Sequence, residues 1–255
     1  MLRYETAGVR AVLTIDDPER RNPMSNEVMA GLLDGVRRAA ADPNVRVIVI
    51  TGAGDRAFCA GGDLSGGFVD SPLETHEARG ALADLFRELR RCGKPTVARV
   101  NGHALAGGFG LAASCDIVIS VEDATFGTPE IGIGLWPMMI TAVLQRVMPR
   151  RIALELMLTG RRIGAAEALR LGVVSRVVPA ADLDAAVDET VAALAAHSPA
   201  VLALGKASFY AIEDLPFDAA LDHLQTGLTA VASTADAAEG IAAFMEKRTP
   251  EWTGR

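Results

Sequence analysis

The residues best suited to chemistry lie in a glycine-dense stretch at positions 101–110, Asn-Gly-His-Ala-Leu-Ala-Gly-Gly-Phe-Gly. A strand is predicted just before it, from Thr96 to Val100, and a helix-compatible run follows it. Glycines at such a junction let the main chain approach a ligand because no Cβ stands in the way. The first N–H groups of the helix lack an internal partner and point outward as donors. They could stabilise a developing oxyanion, although many glycine-rich turns are only turns.

A single carboxylate follows in a setting that suits proton transfer. Glu130 comes directly after Phe126-Gly-Thr-Pro. A carboxylate buried in an apolar pocket has its pKa raised toward neutrality, where it can move protons at pH 7. A glutamate after a proline is also a common acid of a helix N-terminus, where it complements the helix dipole. The residues themselves leave both interpretations open.

Composition and charge limit the classes of protein to which the chain can belong. Half of the 255 residues are hydrophobic and 22% are charged, which is ordinary for a globular protein with a large core. The formal net charge of −7 argues against a nucleic-acid partner. The three cysteines Cys59, Cys92 and Cys115 have no framework spacing and indicate reduced thiols in a cytoplasmic protein. With no signal-peptide pattern and no apolar run of ~18 residues, we expect no membrane partner.

The elements that would position these residues follow an α/β pattern. A helix capped by Ser25 carries apolar residues at helical spacing, and Val45 to Ile50 is typical of a strand buried on both faces. The other predicted elements are strands over 9–15, 117–120 and 173–178, and helices over 75–92, 138–148, 151–158, 165–171, 182–197, 199–213, 216–232 and 235–247.

Strand–turn–strand–helix units recur loosely and suit a coiled stack. The change to all-helical sequence near residues 180–195 predicts one internal boundary. We therefore expect a core domain over residues 1–190 and a helical region over 191–255. The C-terminal helices carry apolar stripes that are too long for a small appendage to bury, which predicts a subunit interface.

Several blocks of residues keep a common order along the chain. They are Phe58-Cys-Ala-Gly-Gly-Asp-Leu64, the stretch at 101–108, Cys115-Asp116 and Phe126-Gly-Thr-Pro-Glu130. In these blocks the chain resembles the crotonase (enoyl-CoA hydratase/isomerase) family. The resemblance implies a spiral of β-β-α units with a helical C-terminal region that packs in trimers or pairs of trimers. It also implies an acyl-CoA substrate whose enolate is stabilised, with coenzyme A present only as part of the substrate and no metal or redox cofactor.

The resemblance also assigns roles to main-chain groups. The thioester oxygen would accept hydrogen bonds from the N–H groups of Ala60 and Gly107. The segment that contains Ala60, Gly61, Gly62 and Asp63 would lie along the substrate. Because these donors belong to the main chain, only added bulk or a distorted backbone can remove them.

The two acid/base positions of the family differ in this chain. Glu130 matches the position shared by hydratases and isomerases, whereas Gly110 stands where two-carboxylate hydratases have a second glutamate. Hydration is served by two groups, while one carboxylate can shuttle a proton between C4 and C2. The lone Glu130 therefore favours 3-enoyl to 2-enoyl-CoA isomerisation, with 2-enoyl-CoA hydration as the alternative.

Met138 stands where dienoyl isomerases have an aspartate. A second acid could come from a mobile loop at 65–72 or the helix after it, with the candidates Asp70, Glu74 and Glu77.

Further candidates have more than one interpretation. Arg20, Arg21 and Arg56 could meet the phosphates of coenzyme A or be solvated surface charges. The apolar residues Trp136, Met138 and Met139 would belong to the core or to the wall of an acyl pocket.

Two other function classes compete with isomerisation or hydration. One is a catalytically weak acyl-CoA-binding protein that keeps the donors without Glu130-dependent turnover. The other is a thioester hydrolase with His103, Ser114 and Asp116, but no Gly-x-Ser-x-Gly elbow is present. Cys59 lacks an evident histidine partner, and the four histidines have no metal-ligand spacing.

Overall fold

Two sheets form the centre of the protein within residues 1–65 and 74–255, which the computed structural model describes apart from the side chains of residues 74, 75 and 77–79. The larger sheet has six strands in the order β1-β2-β3-β5-β7-β10, and the smaller has four in the order β4-β6-β8-β9. In chain order the strands are Leu2–Ala7 (β1), Arg10–Ile15 (β2), Val47–Gly52 (β3), Ala57–Cys59 (β4), Thr96–Val100 (β5), His103–Leu105 (β6), Ile117–Val121 (β7), Thr125–Gly127 (β8), Arg162–Gly164 (β9) and Arg176–Val178 (β10).

Helices cover the sheets and continue beyond them toward the C-terminus. Short 3-10 helices at Pro18–Arg20, Pro129–Ile133 and Ala180–Asp182 connect some of the elements. The α-helices are Asn26–Ala41 (α1), Glu74–Arg91 (α2), Gly107–Ala113 (α3), Met138–Val147 (α4), Arg150–Thr159 (α5), Ala165–Arg170 (α6), Leu183–Ala195 (α7), Pro199–Ala211 (α8), Phe217–Ala232 (α9) and Ala235–Glu246 (α10).

A recurring β-β-α unit connects the two sheets. In β3-β4-α2, β5-β6-α3 and β7-β8-α4, the first strand joins the larger sheet, the second joins the smaller sheet, and a helix follows. Neighbouring units pair in parallel in both sheets, as β3 with β5 and β4 with β6 do. The coiled stack expected from the sequence is therefore present.

Local sequence signals explain where several elements begin and end. The Ser25 Oγ accepts a hydrogen bond from the Val28 N–H at 3.2 Å, which caps α1 as predicted. The buried strand predicted over 45–50 is present two residues later, as β3, and all six of its residues are buried. The predicted stripe of α2 is also buried, and it consists of Leu82, Leu85, Phe86 and Leu89.

The strand predicted over 173–178 is shorter in the structure and covers only Arg176–Val178. The N–H groups of Val173 and Val174 both donate to the Ala168 carbonyl, so these two residues close the end of α6. Their side chains are buried all the same, at 4% and 2% exposure. Val173 and Val174 are therefore apolar because they are buried and not because they belong to a strand.

A partly buried ion pair holds the C-terminal helices on the sheet layer. Asp116, which precedes β7, accepts hydrogen bonds from the Thr96 N–H, from Lys206 Nζ at 2.6 Å and from the Tyr210 hydroxyl at 2.7 Å. The Lys206 side chain is only 8% exposed. Because Lys206 and Tyr210 lie one turn apart on α8, this single carboxylate fixes that helix against the core.

The boundary between residues 1–190 and 191–255 stays a prediction.

Among the described residues no single helix has the length and apolar character needed to cross a membrane. One bent pair of helices, Ala180–Ala195 with Pro199–Ala211, has both by length and composition only.

Candidate active site

Three chain segments leave the smaller sheet at the same edge. Strands β4, β6 and β8 are parallel neighbours, with Cys59 paired to Ala104 and Leu105 paired to Gly127. The residues that follow these strands, at 60–63, 106–107 and 128–130, therefore emerge side by side. The predicted site residues are brought together in this way although about 70 residues of sequence separate the first from the last.

The turn before α3 has a strained main chain. Ala106 has φ 51° and ψ −129°, a conformation that costs free energy for a residue with a Cβ. Its N–H donates to the Gly127 carbonyl at 2.8 Å, which ties the turn to the end of β8. Gly107 then begins α3, and its N–H makes no hydrogen bond to any described residue. The strained turn therefore leaves the Gly107 N–H at the edge of the smaller sheet without an acceptor among the described residues.

The Ala60 N–H is engaged elsewhere. It donates to the Arg21 carbonyl at 3.0 Å, and the Gly61 N–H lies 3.4 Å from Cys59 Sγ. The Gly62 N–H has no acceptor within the described part of the chain, and an ideal Cβ on Gly107 would lie 4.0 Å from the Gly62 nitrogen. These contacts conflict with the donor role that the resemblance gave to Ala60, and they place Gly62 opposite Gly107 instead.

The segment that carries Gly62 is held in a defined position. Met24 forms a parallel bridge to it, donating to the Gly61 carbonyl at 2.8 Å and accepting from the Asp63 N–H at 3.0 Å. Gly61 has φ +103°, and a Cβ there would come within 2.6 Å of the Ala106 Cβ. A glycine is therefore required at position 61, whereas an ideal Cβ on Gly62 meets no atom within 4 Å.

The Asp63 side chain is bound to neighbouring residues rather than free. It accepts hydrogen bonds from the Ser65 hydroxyl at 2.6 Å and from Arg20 Nη2 at 2.8 Å. These hydrogen bonds, from Ser65 first and from Arg20, lower the pKa of Asp63 to about 2. Arg20, one of the candidates for a phosphate contact, is therefore paired with Asp63.

Glu130 has the environment of a proton carrier. It lies in the 3-10 helix Pro129–Ile133, and its Oε2 atom is buried with no hydrogen-bond partner in the described part of the structure. Burial raises the pKa of the Glu130 carboxyl, while a hydrogen bond from its own backbone N–H opposes the shift. The other interpretation of Glu130 was an acid in the first turn of a helix, and Glu130 does lie in the first turn of this short helix. An unpartnered buried carboxyl oxygen favours a functional role.

The other acids proposed for the site are not placed by the structure. Asp70 lies outside the described residues, as does most of the loop predicted over 65–72. Glu74 and Glu77 belong to α2, but their side chains are also outside the described part. A second carboxylate from this segment stays a prediction.

A basic cavity adjoins the site on the side of Ala60. Its volume is about 320 Å³. Three arginines line it, and none of them forms an ion pair with a described residue, although Asp55 and Asp123 also line the cavity. Guanidinium groups without carboxylate partners suit a phosphate or another anion. The three arginines are Arg21, Arg56 and Arg162.

The residues considered for a hydrolase triad do not meet. The Ser114 hydroxyl donates to the Gly110 carbonyl at 2.7 Å, and His103 Nδ1 lies 3.0 Å from the Thr125 hydroxyl. Asp116 is occupied by Lys206 and Tyr210, as described above. Each group is therefore used in local structure.

Other singled-out side chains have structural surroundings. Cys59 is fully buried, and burial raises the pKa of its thiol to about 12, which makes it unreactive. Trp136 and Met139 pack against the core, whereas Met138 is 72% exposed, which excludes the core for this side chain in the single chain and leaves the wall of an acyl pocket as a prediction. Among the residues that the structure describes, no three His, Cys, Asp or Glu side chains cluster as metal ligands would.

Known proteins resemble the whole chain. A family model described as "Enoyl-CoA hydratase/isomerase" matches residues 5–255. A putative enoyl-CoA hydratase of Thermus thermophilus is 37% identical over 257 residues, which cover 99% of this chain and 100% of that protein. A carnitinyl-CoA dehydratase of Proteus mirabilis is 34% identical over 259 residues, covering 100% and 98%. The crystal structure of an enoyl-CoA hydratase from Mycobacterium smegmatis matches with a TM-score of 0.94 and 32% identity over 98% of each chain.

Proposed function

Because the chain belongs to the enoyl-CoA hydratase/isomerase family, we propose that it converts a 3-enoyl-CoA into the 2-enoyl-CoA, with Glu130 as the only proton carrier. The fold expected from the resemblance is confirmed, and the chain is an enzyme of the lyase or isomerase type. Members of this family bind acyl-CoA thioesters.

The proposed oxyanion donors are the N–H groups of Gly62 and Gly107. Support comes from these two amides, which have no acceptor among the described residues, from the 4.0 Å between an ideal Cβ on Gly107 and the Gly62 nitrogen, and from the hydrogen bond that engages Ala60. Two fixed donors stabilise the enolate oxygen without reorganising during the reaction, and the loss of one such donor typically costs ~3 kcal/mol of barrier.

The proposed proton path uses one carboxylate twice. Glu130 removes a proton from C2, the electron pair moves into the thioester carbonyl, and a dienolate forms against the two amides. The same carboxyl then returns its proton to C4 as the double bond moves to C2–C3. Atoms and charge balance without water or a second group. The raised pKa of Glu130 suits both steps because the carboxyl can accept and then release a proton near neutral pH.

One observation carries the choice of isomerisation over other reactions of the family. Among the described residues, Glu130 has the one buried carboxyl oxygen without a hydrogen-bond partner, and Gly110 provides no second acid. The names of the relatives, a hydratase and a dehydratase, favour 2-enoyl-CoA hydration as the second candidate. Hydration would need a loop acid or Glu130 acting alone. A catalytically weak acyl-CoA-binding protein is the remaining alternative.

We further propose that the basic cavity beside Ala60 receives phosphates of the coenzyme A moiety. Its guanidinium groups, Arg21 and Arg56 among them, form no ion pair with a described residue and have the charge and donor geometry for this role. In this proposal coenzyme A is part of the substrate, and the enzyme needs no metal or redox cofactor. We also propose a cytoplasmic location.

The assembly that we propose is a homotrimer or a dimer of trimers. In the single chain the C-terminal helices expose large apolar side chains, which suits burial between subunits. They include Phe217, Leu221, Leu224, Leu228, Ile241 and Phe244. Sedimentation at micromolar concentration tests this proposal, and a monomer there would contradict it.

The experiment that tests the function compares wild type with Glu130→Gln on 3-enoyl-CoA and 2-enoyl-CoA. Glu122→Gln is a matched control because Glu122 is an exposed acid between β7 and β8. We expect fast isomerisation that the control retains and that Glu130→Gln loses. Turnover that persists in Glu130→Gln would refute the proton-carrier assignment, and binding without turnover in wild type would favour the acyl-CoA-binding alternative.

A further inference from the structure

Helices α3 and α4 approach each other so closely at one point that only a glycine fits there. An ideal Cβ on Gly110 would lie 2.2 Å from Ile140 Cγ2, 2.8 Å from Ile140 Cβ and 3.2 Å from Phe86 Cζ. A Cβ atom essentially never lies within 3.0 Å of a heavy atom that belongs to a residue elsewhere in the fold. Gly110 lies inside a right-handed helix, so its glycine serves this close approach rather than an unusual backbone angle.

The face of α3 that carries Gly110 is the face of the proposed site. Gly107 and Gly110 are three residues apart, so they lie on the same side of the helix. An ideal Cβ on Gly107 would meet Met24 Cε at 2.6 Å and Leu82 Cδ2 at 3.9 Å. With Ile140 and Phe86 at Gly110, the side chains nearest to this side of α3 are apolar among the described residues, and the Gly62 nitrogen lies at 4.0 Å from the Gly107 position.

This covering has a chemical consequence. Ile140 is 3% exposed and Phe86 is 7% exposed, so the contact with Gly110 is closed to solvent. A water molecule is retained in a protein interior only where two or more polar groups can bind it. Neither side chain provides such a group, so among the described residues the contact of Ile140 and Phe86 with Gly110 supplies neither an acid nor a binding place for a water molecule.

We propose that Ile140 is a specificity-determining residue, which fills the space of a second acid/base side chain and thereby keeps the enzyme on the one-carboxylate reaction. The inference rests on the proposed isomerase function. It adds that the absence of a second acid is fixed by the packing of α4 and not by the residue at position 110 alone. Introducing a glutamate there without removing Ile140 would force the two helices apart.

A stability measurement tests the packing without reference to activity. Gly110→Ala should lower the Tm by several degrees in the wild-type background because the new Cβ overlaps Ile140. In an Ile140→Gly background the same substitution should raise the Tm, because alanine is the better helix former once the overlap is gone. Gly108→Ala is the control, since its Cβ would meet the Cys59 carbonyl at 2.4 Å, and it should lower the Tm in both backgrounds. Equal effects of Gly110→Ala in the two backgrounds would overturn the packing claim.

An activity measurement tests the specificity claim. Hydration adds one water as a C3 hydroxyl and a C2 hydrogen, and the ratio of hydration to isomerisation is the quantity compared. We expect Gly110→Glu/Ile140→Gly to raise this ratio by about tenfold or more. A folded double variant that isomerises without gaining hydration would overturn the inference, as would a wild type that hydrates as fast as it isomerises. A wild type with no isomerisation at all would instead refute the proposed function, while the Tm series would still decide the packing claim.

Discussion

The Arg21 carbonyl accepts a hydrogen bond from the Ala60 N–H at 3.0 Å. This contact consumes the amide that the family pattern suggested as an oxyanion donor. Two residues further along the chain, the Gly62 N–H has no acceptor in the part of the chain that the structure describes, and it lies beside Gly107. One of the two proposed oxyanion donors is therefore Gly62 instead of Ala60, while Gly107 stays the other. Variants of Gly62 can test this assignment.

The first prediction concerns the Gly62 amide. Gly62→Pro removes the N–H, so kcat should fall about 10²–10³-fold if this group stabilises the enolate. Gly62→Ala is the control because it keeps the N–H and its Cβ meets no atom within 4 Å. The alanine variant should keep activity close to wild type. Circular dichroism checks that both variants are folded, and a folded proline variant with wild-type kcat would refute the assignment.

The second prediction concerns the pH dependence of the reaction. Burial raises the pKa of Glu130 above its ordinary value of 4.5, and Glu130 must be ionised to accept the first proton. The value of kcat/KM should therefore fall as the pH decreases through this raised pKa, with a midpoint above 4.5. Glu122→Gln should show the same acid limb. An acid limb that is centred at or below the ordinary pKa would contradict the burial of Glu130 in the working enzyme.

The third prediction concerns stability and follows from the same shift. Because the folded-state pKa of Glu130 is raised, its contribution to stability is fully present below the unfolded pKa and is lost as the pH rises through the folded pKa. Glu130→Gln stays neutral and avoids this loss. The Tm of the variant relative to wild type should therefore increase between about pH 4 and pH 7. A difference in Tm that does not change with pH would show that the carboxyl is not desolvated.

The fourth prediction concerns the anchor of the C-terminal helices. Lys206→Met removes the partner of a carboxylate whose other contacts are to Thr96 and Tyr210. Because the Asp116 side chain is 19% exposed and keeps these contacts, the loss should be about 1–3 kcal/mol, less than for a fully buried unpaired charge. The control is Lys247→Met, because Lys247 is exposed. Chemical denaturation should show a large loss for the first variant and little change for the second. A comparable small change in both would mean that α8 is held by its other contacts.

Much of the fold could be predicted because its signals are local. The Ser25 cap, the buried run of β3 and the stripe of α2 each depend on residues within a few positions of one another, and the structure confirms all three. The strands β4, β6 and β8 were not predicted because three residues are too few to show an alternating pattern. Their positions are set by pairing with one another across about 20 to 45 residues of sequence.

Order and residue type predicted that the segments carrying Gly107 and Glu130 belong to one site, and the structure shows that the strands before them are parallel neighbours. The roles of these residues stay a prediction. The hydrogen bond between Ala60 and Arg21 joins residues 39 positions apart, and Ile140 fills space 30 positions after Gly110. Such tertiary contacts cannot be recognised from the spacing of neighbouring residues. They determine which amide is engaged in a hydrogen bond and which side chain a position has room for.

The most direct test of the central claim is product analysis of the wild type with a 3-enoyl-CoA in oxygen-18 water. A one-carboxylate shuttle should form 2-enoyl-CoA without the label, well before any labelled 3-hydroxyacyl-CoA accumulates. If labelled 3-hydroxyacyl-CoA instead formed from added 2-enoyl-CoA faster than 3-enoyl-CoA was isomerised, the enzyme would be a hydratase. Glu130 would then act alone in hydration or with a partner acid outside the described part of the site.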